Sequence, residues 1–200
     1  DAAFAAGGDL EEFITGSPLP LTDITVNPTD GALYFTIGGR RTQSGLYRVT
    51  YTGSASTATS TRTLDNNLTK LRRQLESFHG RKDPAAIRTA WPQLDHKDRF
   101  IRFAARTALE HQDPASWQDR ALKETKPQSA LTALLGLVRV GDKSLQPRIL
   151  ESLEHLTWDK LNDTQRIELL RIYGLAFVRM GSPAPATADK ISQQLTRHYP

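Results

Sequence analysis

The chain has 200 residues, of which 38% are hydrophobic and 24% charged, and it contains no cysteine. This composition is typical of a globular chain with a buried core, and it excludes disulfides, thiol catalysis, iron–sulfur clusters and covalently attached c-type haem. The net charge of +4 is moderate, and no apolar run reaches the ~18 residues of a transmembrane helix, so the sequence predicts no membrane span.

The first third of the chain predicts a β-meander. Polar and apolar residues alternate over 23–26, β-branched and aromatic residues fill 32–37, and alternation returns over 46–51. A turn cluster at 27–31 and a polar, glycine-bounded loop at 38–45 separate these runs. We therefore expect three short antiparallel strands within residues 1–53. Residues 54–64 are rich in Ser, Thr and Ala and predict a linker.

From residue 65 the apolar spacing becomes helical, and it repeats. Six apolar positions between 100 and 108 are all apolar again 30 residues later. A further shift of 39 keeps five of the six apolar, and the sixth is Gly174, small enough for close helix contact. Asp83-Pro84, Asp113-Pro114 and Gly141-Asp142 supply helix starts. The pattern predicts helix pairs at 83–112, 113–141 and 142–181, between single helices at 65–80 and 187–198.

This pattern predicts a mostly α fold, a HEAT- or armadillo-like helical repeat solenoid over 65–200 preceded by the β-meander. A single helix pair cannot bury its own apolar stripe, so stacked neighbours would form the core. We expect Trp91, Trp117 and Trp158 to pack in that core. The meander alone leaves sheet edges unpaired. Either it packs against the helices or it is one blade of a larger β-protein, and the second interpretation is favoured.

Two runs of the meander resemble a known type of propeller blade. Residues 19–36 (LPLTDITVNPTDGALYFT) resemble a blade of the glucose/sorbosone-dehydrogenase type, and residues 45–51 (GLYRVTY) resemble the strand that closes such a blade. The continuation into helical repeats is similar to bacterial membrane-bound dehydrogenases of that family, in which a quinoprotein-like propeller precedes HEAT-type repeats and often a c-type cytochrome.

The resemblance implies a parent protein that oxidises sugars or alcohols with pyrroloquinoline quinone and passes electrons to haem c, in the periplasm or outside the cell. This chain would be its non-catalytic C-terminal segment, inactive alone and holding neither cofactor. Its partners would be the rest of the propeller or an electron-accepting cytochrome domain. The alternative is a self-sufficient HEAT-repeat adaptor that binds a protein or, less favoured by the moderate charge, a nucleic acid.

Two groups of residues are candidate sites. Arg40, Arg41 and Gln43 lie in the predicted loop at 38–45, where in a propeller they could bind the carboxylates of a quinone or an acidic substrate. The favoured alternative is a solvated turn.

The second group is Arg99, Arg102 and Arg106, which share one helix face and could bind a partner's acidic groups. The favoured alternative is an outer face that pairs with acids such as Asp95, Asp98 and Glu110. The five histidines show no metal-ligand spacing, and no catalytic set is recognisable, so no metal or catalytic residue is assigned.

Overall fold

The structure is a computed structural model that describes residues 12–56 and 67–198. These residues divide into two compact units, a small antiparallel sheet within 12–56 and a helical unit over 67–198. The prediction of a mostly α chain preceded by a three-stranded meander is confirmed. Of the predicted linker, residues 57–64 lie outside the described residues.

The sheet contains β1 (Leu21–Val26), β2 (Leu33–Gly39) and β3 (Thr42–Val49), paired antiparallel in the order β1-β2-β3. The prediction of an eight-residue loop at 38–45 is wrong, because both strands continue into it. Only Arg40 and Arg41 form the turn, and Arg41 has a φ of 66°. A connection this short requires left-handed backbone, which Arg41 adopts between the last paired residues, Gly39 and Thr42.

One face of this sheet is apolar. Cross-strand pairing places Phe35 between Ile24 and Tyr47 on that face, and it places Leu33 between Val26 and Val49. The Phe35 ring stacks on the Tyr47 ring with centroids 4.9 Å apart, and Phe35 is buried. Ile24 and Val26 on β1 remain more than half exposed. Within residues 12–56 and 67–198, the β1 side of the apolar face is therefore uncovered.

The turn between β1 and β2 is held by Asp30. Its carboxylate accepts hydrogen bonds from the backbone N–H of Ala32 at 3.0 Å, from the Tyr34 hydroxyl at 2.9 Å and from Arg48 at 3.2 Å. Led by the Ala32 N–H, these contacts lower the pKa of the Asp30 carboxyl. The bonds to Tyr34 and Arg48 reach β2 and β3, so one side chain ties the β1–β2 turn to both of these strands.

The helical unit has eight α-helices among the described residues. They are α1 (Asn67–Glu76), α2 (Ala85–Ala90), α3 (Arg99–Glu110), α4 (Gln118–Leu122), α5 (Pro127–Val140), α6 (Gln146–Glu154), α7 (Asp163–Met180) and α8 (Pro185–Thr196). All three predicted helix pairs and both flanking helices are found near their predicted positions. The first helix of each pair is the shorter one.

Contacts between helices follow the repeat. The longer helices form a row in which α1 contacts α3, α3 contacts α5 and α5 contacts α7. Each pair is also in contact internally, α2 with α3, α4 with α5 and α6 with α7. One continuous hydrophobic core runs through these contacts. Its centre is α5, which is buried along all of residues 129–138.

The predicted helix starts are capping sites. Asp83, Asp113 and Asp142 each accept a hydrogen bond from the backbone N–H two residues later, at 2.9 to 3.1 Å. Asp113 and Asp142 cap short 3₁₀ turns, Pro114–Ser116 and Lys143–Leu145, after which α4 and α6 begin. The repeated Asp therefore marks the entry into each pair, a few residues before the α-helix itself.

Three core predictions need correction. Trp91 and Trp117 are buried as expected, but Trp158 is only half-buried and stacks on His198, with centroids 4.8 Å apart. Phe103, predicted apolar core, is 59% exposed. Gly174, expected at a close helix contact, has no atom within 4 Å of where its Cβ would lie. Both lie on the sides of α3 and α7 that face away from the core.

Along the described residues, no helix combines the length and the apolar character that crossing a membrane requires.

Candidate functional site

Helices α3 and α5 approach each other closely at Gly136. A Cβ built on Gly136 of α5 would lie 3.3 Å from Cγ of Arg106, 3.6 Å from the Trp117 ring and 3.7 Å from Cγ of Glu110. Arg106 is only 7% exposed, although its side chain belongs to the most hydrophilic type. The absence of a side chain at Gly136 thus leaves room for the buried ion pair of Arg106 and Glu110 against α5.

That ion pair joins three charged side chains. Arg106 Nε lies 3.2 Å and Arg139 Nε 2.8 Å from the same oxygen of Glu110, Oε1. Neither contact is aligned as a hydrogen bond. Arg106 Nε and Glu110 Oε1 are therefore both without a hydrogen-bond partner among the described residues. Two guanidinium groups therefore share one carboxylate, which neutralises only one of them.

The electrostatics of Arg106 reflect this arrangement. Burial lowers the pKa of the Arg106 guanidinium, Glu110 raises it, and the positive charges of Arg139 and Arg171 lower it further. Arg171 lies on α7 and makes no hydrogen bond or ion pair within the residues that the structure describes. Glu168 raises the pKa of Arg106 as well, so two glutamates and two further arginines act on this one guanidinium.

Polar contacts also link α3 to α7, one helical turn before Arg106. Arg102 lies 3.8 Å from a Glu168 oxygen, and it donates hydrogen bonds to the backbone carbonyls of His96 and Lys97 at 2.8 and 3.2 Å. Gln128 of α5 donates to the other Glu168 oxygen at 2.7 Å. Glu168 therefore bridges three helices of the row.

We call this surface the arginine face. It is composed of four arginines and two glutamates from α3, α5 and α7: Arg102, Arg106, Glu110, Arg139, Glu168 and Arg171. Exposed apolar side chains adjoin it. The Phe103 ring lies 5.1 Å from the Arg106 guanidinium, and Ile167 and Val178 share a helix face with Arg171. Val178 is 84% exposed.

The predicted arginine stripe is only partly as expected. Arg102 and Arg106 belong to the arginine face, and Glu110 is an ion-pair partner as the alternative interpretation predicted. Arg106, however, is buried and does not lie on a solvated outer face. Arg99 is exposed on α3, where its guanidinium lies 4.8 Å from the Phe100 ring centroid.

Sequence reasoning did not select Arg139, Glu168 or Arg171. The sequence does contain a signal for two of these residues, Arg139 and Arg171. Arg139 breaks the apolar repeat, since it occupies the place that Leu109 holds 30 residues earlier. Arg171 stands at the place of Arg102 after the combined shifts of 30 and 39 residues, with Thr132 between them. Glu168 gives no such signal, because its role depends on how α7 packs against α5.

The other predicted site residues lie at one end of the sheet. Arg40 and Arg41 form the β2–β3 turn and are exposed, whereas Gln43 is not in a loop but on β3, also exposed. These three side chains therefore occupy one hairpin tip in the sheet unit.

The histidines form no metal cluster: within 12–56 and 67–198 no group of three His, Asp or Glu side chains is placed to hold a metal ion. His79 and His111 do meet, with ring centroids 5.8 Å apart, and His79 Nε2 lies 2.9 Å from the Ala104 carbonyl oxygen. That contact ties the turn after α1 to the middle of α3.

Comparison of the chain with models of known families, with curated protein sequences and with solved structures found no match.

Proposed function

We propose that this chain is a non-catalytic scaffold segment of a larger quinoprotein-like sugar or alcohol dehydrogenase, consisting of part of a propeller blade and a HEAT-type helical repeat. The observation that carries the proposal is the incomplete state of the sheet. The resemblance of residues 19–36 and 45–51 to a propeller blade gives the kind of protein that would complete it.

Among residues 12–56 and 67–198, the sheet has two open edges and an apolar face whose β1 side is uncovered. In the described part of the chain, β1 and β3 each pair only with β2, so each leaves a row of backbone N–H and C=O groups available for a further strand. Ile24 and Val26 add exposed apolar area beside one edge. Covering each of these two side chains would contribute about 1 kcal/mol. A further strand and a neighbouring blade would satisfy both needs.

The helical unit supports the scaffold part of the proposal. Three helix pairs follow one another, each entered at a capping Asp or just after it, and their longer helices stack in one row. Such rows are the building principle of HEAT-type solenoids, in which each repeat contacts its neighbours and the exposed surface binds partners.

In the parent protein, pyrroloquinoline quinone and haem c would be bound outside this chain, in a periplasmic or extracellular setting. The hairpin tip with Arg40, Arg41 and Gln43 is the part of this chain that would approach the quinone or an acidic substrate. Guanidinium groups suit that task because they bind carboxylates in a bidentate manner.

Amide hydrogen exchange tests this proposal. In the full native protein we expect the outward amides of β1 and β3 to be protected, and in the isolated 200-residue chain we expect them to exchange quickly. Residues 129–138 of α5 serve as the control, since their burial within the helical unit protects them in both samples. Equally fast exchange of β1 and β3 in the native protein would contradict the proposal.

The arginine face favours a second candidate function, a HEAT-repeat adaptor that binds a protein partner. This role is compatible with the first, because a scaffold between a propeller and an electron acceptor must dock that acceptor. The adaptor role also holds without a larger dehydrogenase, if the open edges of the sheet are paired within a small assembly.

A further inference from the structure

We infer that the arginine face binds an acidic peptide segment of a partner protein, with a side-chain carboxylate of that segment held between Arg106, Arg139 and Arg171. This inference rests on the proposed role of the helical unit as a binding scaffold, and it names the site and the chemistry of the ligand.

The charge balance is the first argument. The face holds four guanidinium groups and two carboxylates, so two positive charges are uncompensated. Glu110 is shared by Arg106 and Arg139, and Glu168 lies near Arg102. Arg171 makes no ion pair within the described residues. An incoming carboxylate would supply the missing negative charge beside Arg106, whose guanidinium is under the electrostatic influence of both Arg139 and Arg171.

The second argument is an unsatisfied buried group. The Arg106 side chain donates no hydrogen bond within the described part of the chain, although nine-tenths of it is buried, and its Nε is an unpartnered buried donor. A buried donor without an acceptor lowers stability, and a charged one does so more strongly. A carboxylate at the face would accept charge-assisted hydrogen bonds from its terminal nitrogens. Binding would therefore give the Arg106 guanidinium hydrogen bonds that Glu110 does not supply, while Nε stays beside Glu110.

The surroundings favour a peptide over a nucleic acid. A protein that follows a nucleic-acid backbone neutralises about six to ten phosphates, far more than two excess charges can serve. The exposed Phe103, Ile167 and Val178 beside the arginine face are suited to apolar side chains, and protein interfaces combine aromatic residues with arginine in this way.

Fluorescence anisotropy of the full chain with a labelled peptide of alternating glutamate and leucine tests the inference. The comparison probes are the same peptide with glutamine in place of glutamate and a labelled single-stranded oligonucleotide. Arg139→Gln combined with Arg171→Gln removes two guanidinium groups of the face. Arg73→Gln combined with Arg88→Gln is the matched control, because it removes the same charge from exposed positions on α1 and α2. Arg171→Gln alone is the backup variant, since it breaks no ion pair within the described residues.

We expect the glutamate peptide to bind more tightly than both comparison probes. We also expect the Arg139/Arg171 variant to weaken its binding by about tenfold or more, and the control variant by less than about twofold. Equal losses of affinity in the two variants would mean that binding depends only on net charge, and this result would overturn the site. Tighter binding of the oligonucleotide, or no binding of the glutamate peptide, would also overturn it. None of these outcomes affects the exchange of the β1 and β3 amides, so failure of the site and failure of the proposed function are distinguishable.

Discussion

Gly136 of α5 and Arg106 of α3 pack so closely that a Cβ on the glycine would come within 3.3 Å of Cγ of the arginine. A real Cβ rarely has a neighbour this near. The aliphatic stem of Arg106 therefore lies against the backbone of α5, and its charged end lies beside Glu110, one turn further along α3, where Arg139 of α5 joins them. The contact of this pair with Arg139 depends on the small residue at position 136.

Replacement of Gly136 by leucine tests that dependence. The larger side chain meets Arg106, Trp117 and Glu110 at once, and such overpacking costs about 1–3 kcal/mol even after the gain in helix propensity. Gly174→Leu on α7 is the control, because its Cβ enters open space and the substitution raises the free energy of unfolding by up to about 1 kcal/mol. Urea denaturation measures both. Equal effects at the two positions would mean that Gly136 is not a contact point.

Loss of the shared carboxylate destabilises the helical unit. Glu110→Gln leaves Arg106 and Arg139 without their common anion, and removal of one partner from a buried pair costs about 3 kcal/mol. Asp119→Asn is the control. It breaks the exposed Arg148–Asp119 pair at 2.8 Å, which contributes less than about 1 kcal/mol. An equal shift of the unfolding temperature in the two variants would mean that the Glu110 ion pairs contribute no more to stability than an exposed pair does.

Tyr173 gives the helical unit a pH dependence in alkali. Burial, with a smaller effect from Glu154, raises the pKa of its hydroxyl from 10.0 to about 12. Between these two values the unfolded chain loses the proton while the folded chain keeps it. The free energy of unfolding therefore falls as the pH rises through this range, by about 1.4 kcal/mol per pH unit, and the loss is complete above the folded pKa.

Tyr173→Phe removes this dependence and keeps the ring. The hydroxyl has no hydrogen-bond partner among the described residues, so at neutral pH the variant is as stable as the parent or more stable by up to about 1 kcal/mol. Tyrosinate absorbance during alkaline titration should lose its latest step in Tyr173→Phe and retain it in Tyr51→Phe, which alters an exposed ring. A late step that persisted without Tyr173 would contradict this assignment.

Gln112, just after α3, joins the end of the first helix pair to the entry of the same pair through three hydrogen bonds. Its amide nitrogen donates to the carbonyls of Arg81 and Ala108, and its carbonyl accepts from the Asp83 N–H at 2.8 Å. Gln112→Leu leaves those backbone groups without partners and lowers the free energy of unfolding by about 2 kcal/mol. The exposed Gln74→Leu on α1 should have almost no effect by the same chemical denaturation, and a comparable loss there would argue against the joint.

The regular parts of the fold could be predicted because they depend on local patterns. Alternation gave three strands, and the repeated apolar spacing with its Asp caps located three helix pairs. The shortness of the β2–β3 turn could not be predicted, because Gly38 and Gly39 look like loop residues but continue strand β2, and Gly39 pairs with Thr42. Helical spacing also failed for Phe103, since six apolar positions in nine residues leave the orientation of α3 open.

The candidate site was predictable only in part for a similar reason. Arg102 and Arg106 lie on one helix and follow from spacing, whereas Arg139, Glu168 and Arg171 join them through the packing of α5 and α7. A sequence pattern shows which residues share one helix face. It does not show that Gly136 brings α3 close enough to α5 for one glutamate to contact two arginines.

The mass of the polypeptide that carries this sequence, purified from its native source and measured under denaturing conditions, tests the central claim most directly. If the sheet is completed by strands of a larger propeller protein, the mass is several times the 22.3 kDa of these 200 residues. A mass near 22.3 kDa would contradict that account, and the helical unit would then be understood as an adaptor in its own right.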